Sequence, residues 1–421
     1  MKILLITRYF PPLDSIATSR MVSFAKYLSR KNCSLTVLTT SKKGQVSIPF
    51  AMDSSQFEVI EVPYFDPIAS LGIDRLQKKT SSSFWGPLKK QLKRSLIDFY
   101  RSHMNERLPG RTDLWVLKGV QKLKALKKEG YHFDRIISSY GPPTAHMLGY
   151  FAKKIFNCYW IADYRDLWIE NDLYKGLWPF KWIEKKIEGR LLKEAEMITT
   201  VSSPLQQTLI QKFYPIPVHI IENGFDEEQM SKVKGDYFSH KEKKFRLVYT
   251  GSLYWKKRNP LPLFKALYEL KKEKVLTSQN FELLFYGSYT GPLLETIEKM
   301  ELESLVRYRG IVGKDEALSI QKSADCFLFL ESPDSKGILT GKLFEYLYFP
   351  SPILAIGIKR DSTAAKIIEK ANSGFIAENS VPLIKNLIIE LIKGVSLTKN
   401  TSFINQFSRE AKAEKLYQLI L

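Results

Sequence analysis

The sequence predicts an α/β protein built from two doubly wound domains. Short apolar runs alternate with helical stretches along most of its 421 residues, the pattern of parallel sheets with helical crossovers. That alternation is broken by a polar, charged segment at 227–244 and then resumes. At about 150 residues per domain, the length also suits two or three domains.

The strands of the first half are KILLIT (2–7), SLTVLT (34–39), FEVIEV (57–62), FDRIIS (133–138), CYWIA (158–162), EMITT (196–200) and PVHII (217–221). Helices near 18–30, 114–129, 143–156, 180–194 and 203–213 lie between them. EEQMSKVKGDYFSHKEKK has no strand periodicity and is expected to be the interdomain linker. Beyond it come the strand FRLVYT, a helix from Leu261, the strand FELLFYG, a helix from Pro292, LVRYRG, a helix from Lys314, DCFLFL, a helix from Gly341, and PILAIG. The expected domains are 1–230 and 240–400, followed by a terminal helix within 401–421. In such sheets ligands bind outside the carboxyl ends of the strands, so a site facing a central cleft between the domains is expected.

Residues 75–111 interrupt the rhythm. They hold ten Lys or Arg against Asp98 and Glu106, a net of +8. Trp85, Leu88, Leu92, Leu96 and Phe99 recur there at three- and four-residue spacing with Lys89, Lys90, Lys93 and Arg94 between them. That pattern fits either a helix lying on an anionic membrane surface or a surface helix packed on its own domain.

Composition narrows the class. With 44% hydrophobic and 26% charged residues, the chain is neither disordered nor collagenous. Cys33, Cys158 and Cys326 are odd in number and widely spaced, so a disulfide framework or a cysteine zinc site is not supported. A four-residue apolar stretch at the start is too short for a signal peptide, and no run approaches 18 apolar residues. A cytoplasmic protein, peripheral on the inner face of the cell membrane, is expected. The formal charge of +20 attracts phosphates of nucleotides, nucleic acid or lipid headgroups without choosing among them.

Several turns could carry chemistry. Thr340, Gly341 and Lys342 open a helix after an irregular loop, where free N–H groups and the positive dipole end suit a phosphate. Glu345, one turn on, could accept both hydroxyls of a ribose. FRLVYT runs into Gly251 and Ser252, with Lys257 and Arg258 just before the next helix, a second turn suited to a diphosphate. Arg309 to Gly313 ends another strand, and main-chain groups around Ile311 could meet a nucleobase edge. In the first half, Asp163, Arg165 and Asp166 stand just beyond a buried strand, either as a mutual clamp or as acceptor contacts. His146, early in a helix after a Gly-Pro-Pro turn, is a further candidate at that edge.

YFPP near the amino end, IADYRDLW (161–168), TVSSPL (200–205), IIENGFDEE (220–228), YTGSLYWKKR (249–258) and GILTGKLFEYL (337–347) occur in an order that resembles the retaining nucleotide-sugar glycosyltransferases of family 4. The resemblance covers nearly the whole length. It implies the GT-B fold of two Rossmann-like domains, with the donor held by the carboxyl-terminal domain and the acceptor by the amino-terminal one. It also implies that FINQFSREAKAEKLYQLIL (403–421) crosses back to the first domain. The family's usual pair of glutamates, separated by seven residues, ends here at Glu345, the implied ribose ligand, while its first member falls on Gly337. Ser252 stands where the family often has Arg, so Lys257 and Arg258 must supply the charge.

No Asp-x-Asp motif and no metal-spaced cluster appears, so metal-independent transfer without a cofactor is expected. Asp163, Arg165, Asp166 and His146 are the expected acceptor-side catalytic residues. The expected partners are a nucleotide-sugar donor, a saccharide or lipid-linked saccharide acceptor and an anionic membrane surface, with no nucleic acid. The activity implied is hexosyl or N-acetylhexosaminyl transfer in bacterial surface polysaccharide biosynthesis. The rival readings are an inverting transferase or epimerase on the same fold, a basic nucleic-acid-binding protein, and a membrane scaffold without activity.

Overall fold

The computed structural model describes residues 1–13, 15–41, 56–66, 95, 107–171, 176–238, 244–331 and 339–421. The apolar helix pattern at 85–99, with its four basic residues, and Gly337 therefore lie outside the described residues. Two compact units are present: Met1–Ile221 with Ala413–Leu421, and Glu222–Lys412.

Unit one runs β1 (Lys2–Ile6), α1 (Ile16–Ser29), β2 (Ser34–Thr40), β3 (Glu58–Val62), α2 (Asp113–Lys128), β4 (Arg135–Ser139), α3 (Thr144–Phe156), β5 (Tyr159–Tyr164), α4 (Phe180–Leu192), β6 (Met197–Thr200), α5 (Ser203–Phe213) and β7 (Val218–Ile220). Its seven strands are all parallel in the order β3-β2-β1-β4-β5-β6-β7, so the direction of winding reverses between β1 and β4. Alternation along β1 explains why both faces are covered. Leu4 and Ile6 pack with Trp115, Leu148 and Trp160 on one face, while Ile3 and Leu5 pack with Met21, Leu28, Leu416 and Ile420 on the other. The start of α1 is set by Ser15, whose side chain accepts from Thr18 N at 3.0 Å. Residues 413–421 complete the second face, and Arg135 Nε donates to Ile420 O at 2.8 Å.

Unit two runs α6 (Glu227–Ser231), β8 (Phe245–Thr250), β9 (Leu253–Tyr254), α7 (Leu261–Lys272), β10 (Phe281–Tyr286), β11 (Tyr289–Thr290), α8 (Leu293–Lys299), β12 (Val306–Gly310), α9 (Lys314–Lys322), β13 (Cys326–Leu330), α10 (Gly341–Tyr348), β14 (Ile353–Ile356), α11 (Thr363–Lys370), β15 (Gly374–Glu378), α12 (Val381–Ile392), α13 (Thr401–Asn405) and α14 (Arg409–Ile420). Residues of α14 from Ala413 onward belong to unit one. The main sheet is parallel in the order β12-β10-β8-β13-β14-β15 and reverses between β8 and β13. β9 and β11 form a separate two-stranded parallel pair.

The polar segment expected to be a linker belongs to unit two. Val233 and Phe238 pack against its core, and the Arg246 guanidinium lies 4.7 Å from the Phe238 ring centre. Met230 is buried in that core as well, and three apolar residues at spacings of three and five leave no sustained periodicity for a sequence reading to detect. β15 and the helices α11 and α12 were not anticipated either. Two basic residues of the 75–111 stretch are structural: Arg107 is 1% exposed and pairs with Glu184, and Arg111 pairs with Asp66 at 2.6 Å.

Candidate functional site

Where the winding of an open α/β sheet reverses, the loops beyond adjacent strands diverge and leave room for a ligand. In unit two these are the loops after β8 and β13. β8 is followed by Gly251, whose N–H donates to Tyr286 O at 2.6 Å and whose φ is +129°. The φ favours glycine, and a Cβ there would stand 1.3 Å from Lys342 Nζ and displace that ammonium. Lys342 thus lies directly across the end of β8.

Lys342 sits in the first turn of α10, whose N-cap residue Thr340 is extended and makes no side-chain cap bond. The helix therefore presents uncapped N–H groups and the positive end of its dipole beside the ammonium. Burial pushes the Lys342 amine down to about 8, the Arg258 charge adds to that, and Glu345 opposes it. Two cations and a helix N-terminus that disfavour one another in the absence of an anion would be relieved by a diphosphate.

Glu345 is held from beneath. Gln321 Nε2 donates to Glu345 Oε2 at 3.1 Å and to Thr250 Oγ1 at 2.9 Å, while Thr250 N donates to Tyr346 OH at 3.0 Å. The Tyr346 ring stacks on Phe327 at 4.3 Å, tying the network to β13. Opposite, Arg258 Nη1 and Tyr249 OH both donate to Ser252 O, at 2.7 and 3.0 Å, and Ser288 Oγ donates to Ser252 Oγ at 2.9 Å. Arg258 is therefore partly engaged in shaping its turn, whereas Lys257 is exposed. Ile311, 76% exposed, follows β12. The structure brings together Gly251, Ser252, Arg258, Thr340, Gly341, Lys342 and Glu345. Gln321 and Thr250 escaped the sequence reading because only the fold brings them to Glu345.

In unit one the reversal falls between β1 and β4, and the outcome there is different. Asp163 is 0% exposed and is a buried clamp. Arg20 donates to it through Nε at 3.2 Å and Nη2 at 2.7 Å, and Ser139 and Thr199 donate at 3.0 and 2.8 Å. Its expected role as an acceptor contact is corrected: every side-chain bond is internal, and its partner is Arg20 rather than Arg165. His146 is corrected in the same way. It is 0% exposed, its Nδ1 shares a proton with Ser138 Oγ at 2.8 Å, and its ring lies 4.8 Å from that of Tyr164.

Arg165 and Asp166 remain accessible, paired at 3.3 Å with side chains 19% and 26% exposed. Arg165 Nε donates to Tyr140 O at 2.9 Å, and its guanidinium lies 4.6 Å from the centre of the Tyr9 ring. Gly141 sits at φ +96°, a conformation that favours glycine, and a Cβ there would meet the tip of Arg165, Nη2, at 2.1 Å.

Burial lowers the His146 pKa from its ordinary 6.5 to about 3, with the Asp163 charge opposing. The folded chain then binds fewer protons than the unfolded one between these values, so this residue's contribution to stability falls as pH drops below 6.5. His146→Gln is expected to gain stability relative to the native chain between pH 7 and pH 5, as read from urea midpoints at both values. A constant difference between the two proteins would show that His146 is not held neutral.

No family model and no curated protein matches this chain. Solved structures do. Sucrose-phosphate synthase of Thermosynechococcus elongatus superposes with a TM-score of 0.62 at 14% identity, covering 99% of this chain and 98% of that one. WaaG, a glycosyltransferase involved in lipopolysaccharide biosynthesis, gives 0.54 at 15% identity over 100% and 95%. UDP-GlcNAc 2-epimerase of Methanocaldococcus jannaschii gives 0.51 at 10% identity over 100% and 99%. With two parallel sheets of seven and six strands and likenesses that span the whole length, the chain has the GT-B fold of these glycosyltransferases.

Proposed function

We propose that the protein is a glycosyltransferase that moves a sugar from a nucleoside-diphosphate sugar to a saccharide or lipid-linked saccharide acceptor. The observation that carries this reading is Lys342 Nζ lying over Gly251 beside an uncapped helix N-terminus, with Glu345 one turn away. A diphosphate placed there meets an ammonium, free N–H groups and the Arg258 guanidinium, and the Glu345 carboxylate is set to accept ribose hydroxyls. As the glycosidic bond to phosphate breaks, negative charge grows on the leaving diphosphate, and these groups stabilise it without a metal ion. An acceptor hydroxyl then attacks the anomeric carbon, with retention as the family resemblance implies. Arg165 and Asp166 are the accessible residues assigned to acceptor recognition in unit one. The family resemblance implies hexosyl or N-acetylhexosaminyl transfer, and the likeness to a glycosyltransferase involved in lipopolysaccharide biosynthesis supports a role in surface polysaccharide assembly.

Glu345→Ala is expected to weaken binding of the preferred nucleoside diphosphate about ten- to a hundredfold, equivalent to roughly 1.5–3 kcal/mol for a charge-assisted bond. Calorimetric titration with UDP, GDP and ADP reads it, and unchanged affinity in a folded variant removes the donor-site assignment. A panel of nucleotide sugars with and without acceptors separates transfer from a second reading. The 2-epimerase likeness favours that one, in which the sugar is altered with no acceptor present.

A further inference from the structure

The outer face of α4 and the turn leading into it carry an apolar cluster that the transfer chemistry does not use. Trp178 is 88% exposed, Phe180 39%, Trp182 56% and Ile183 42%. Single exposed apolar residues are ordinary, but four large ones within six positions are not. Interleaved with or following them are Lys181, Lys185, Lys186, Arg190 and Lys193, all exposed. The acidic residues of α4, Glu184 and Glu188, point the other way, each 0% exposed, and pair with Arg107 and Lys212. The helix therefore sorts its charges: both carboxylates face inward, compensated, while the outward face is aromatic and basic. Lys186 Nζ lies 3.5 Å from the centre of the Trp182 ring, so indole and ammonium share one side of the helix.

We propose that this face is a membrane-docking surface that seats on an anionic lipid bilayer. Trp and Phe partition into the headgroup region, where amphipathic rings are stable, and lysines around them meet lipid phosphates. A protein partner fits less well, because lysine is depleted in protein interfaces while aromatic residues are enriched. The formal charge of +20 adds longer-range attraction to the same leaflet. This surface lies in unit one and needs no nucleotide, so it stands independently of the transfer reading.

The test is cosedimentation of the full chain with phosphatidylcholine vesicles with and without phosphatidylglycerol. It compares the native protein, a Trp178→Ser, Trp182→Ser double variant and a Lys181→Glu, Lys185→Glu, Lys186→Glu triple variant. All five positions are exposed, and thermal melts confirm that the variants fold. The native protein is expected to bind the anionic vesicles, with tryptophan fluorescence quenched by brominated lipid. The aromatic variant should lose about tenfold or more in partitioning, and the charge variant its preference for phosphatidylglycerol. The proposal is overturned if the native chain ignores anionic vesicles at low salt, or if the aromatic variant binds as well as native. It is also overturned if only Lys89→Glu, Lys90→Glu, Lys93→Glu, Arg94→Glu abolishes binding. Self-association that disappears in the aromatic variant would make the occupant a second copy and overturn it too. Nucleoside-diphosphate affinity measured on the same samples tests the transfer reading alone.

Discussion

Asp163→Asn is expected to cost about 3–5 kcal/mol of stability, because removing one partner of a buried ion pair strands the other. Arg20 is 5% exposed and its guanidinium grips the carboxylate through two nitrogens, so it would be left with a neutral amide. Burial alone would raise the Asp163 pKa, but the Arg20 charge with the bonds from Arg20, Thr199 and Ser139 outweighs it and the net shift is downward. A depressed carboxylate stabilises the fold above its unfolded pKa, and that contribution is lost as pH falls through the folded value. The loss in Asp163→Asn should therefore be full at neutral pH and shrink in acid. Adding Arg20→Met should recover part of it, since the stranded charge is removed while the amide oxygen still accepts from one of Ser139 and Thr199 and its NH2 can donate to the other hydroxyl. Urea denaturation of the single and double variants reads this directly. A single variant within 1 kcal/mol of native, with turnover lost instead, would return Asp163 to the acceptor side.

Lys342→Met should weaken nucleoside-diphosphate binding about ten- to a hundredfold while leaving the fold intact, since one charge-assisted bond to phosphate is lost and the methionine stem keeps the packing. Gly251→Ala is expected to match or exceed it, because the new methyl would displace the Lys342 ammonium from the end of β8. The ammonium's lowered pKa of about 8, caused first by burial and then by Arg258, adds a signature. Above that pH the free protein increasingly holds a neutral amine, so native affinity should fall as pH passes 8, and Lys342→Met should lack that fall. Equal pH dependence in both proteins would mean that Lys342 does not meet the phosphate.

The candidate residues of the two units differed in how far they could be read. Gly251, Thr340, Gly341, Lys342 and Glu345 were legible because each sits at a strand end or a helix start, and such positions announce themselves within a few residues of chain. At the end of β5 the same logic misplaced Asp163 and His146. A charged or titratable residue at a strand's carboxyl edge can face a ligand or be buried, and the choice depends on what the fold sets against it. For Asp163 that is Arg20, 143 residues away in sequence. For His146 it is Ser138, with the rings of Tyr140, Trp160 and Tyr164 around it.

By itself the sequence determined the α/β class, the strands β1 to β8, β10 and β12 to β14, two turns with phosphate-suited chemistry and the excess of positive charge, because periodicity and turn chemistry act over a few residues. Only the tertiary structure decided that Lys342 crosses the end of β8, that Gln321 holds Glu345, that Arg20 rather than Arg165 clamps Asp163, and that α4 turns its glutamates inward while Trp182 and Trp178 of the preceding turn face out. Burial is the physical reason. Whether a polar side chain serves a ligand or the core is settled by the partners that distant segments bring to it, and those pairings leave no periodic mark in the chain.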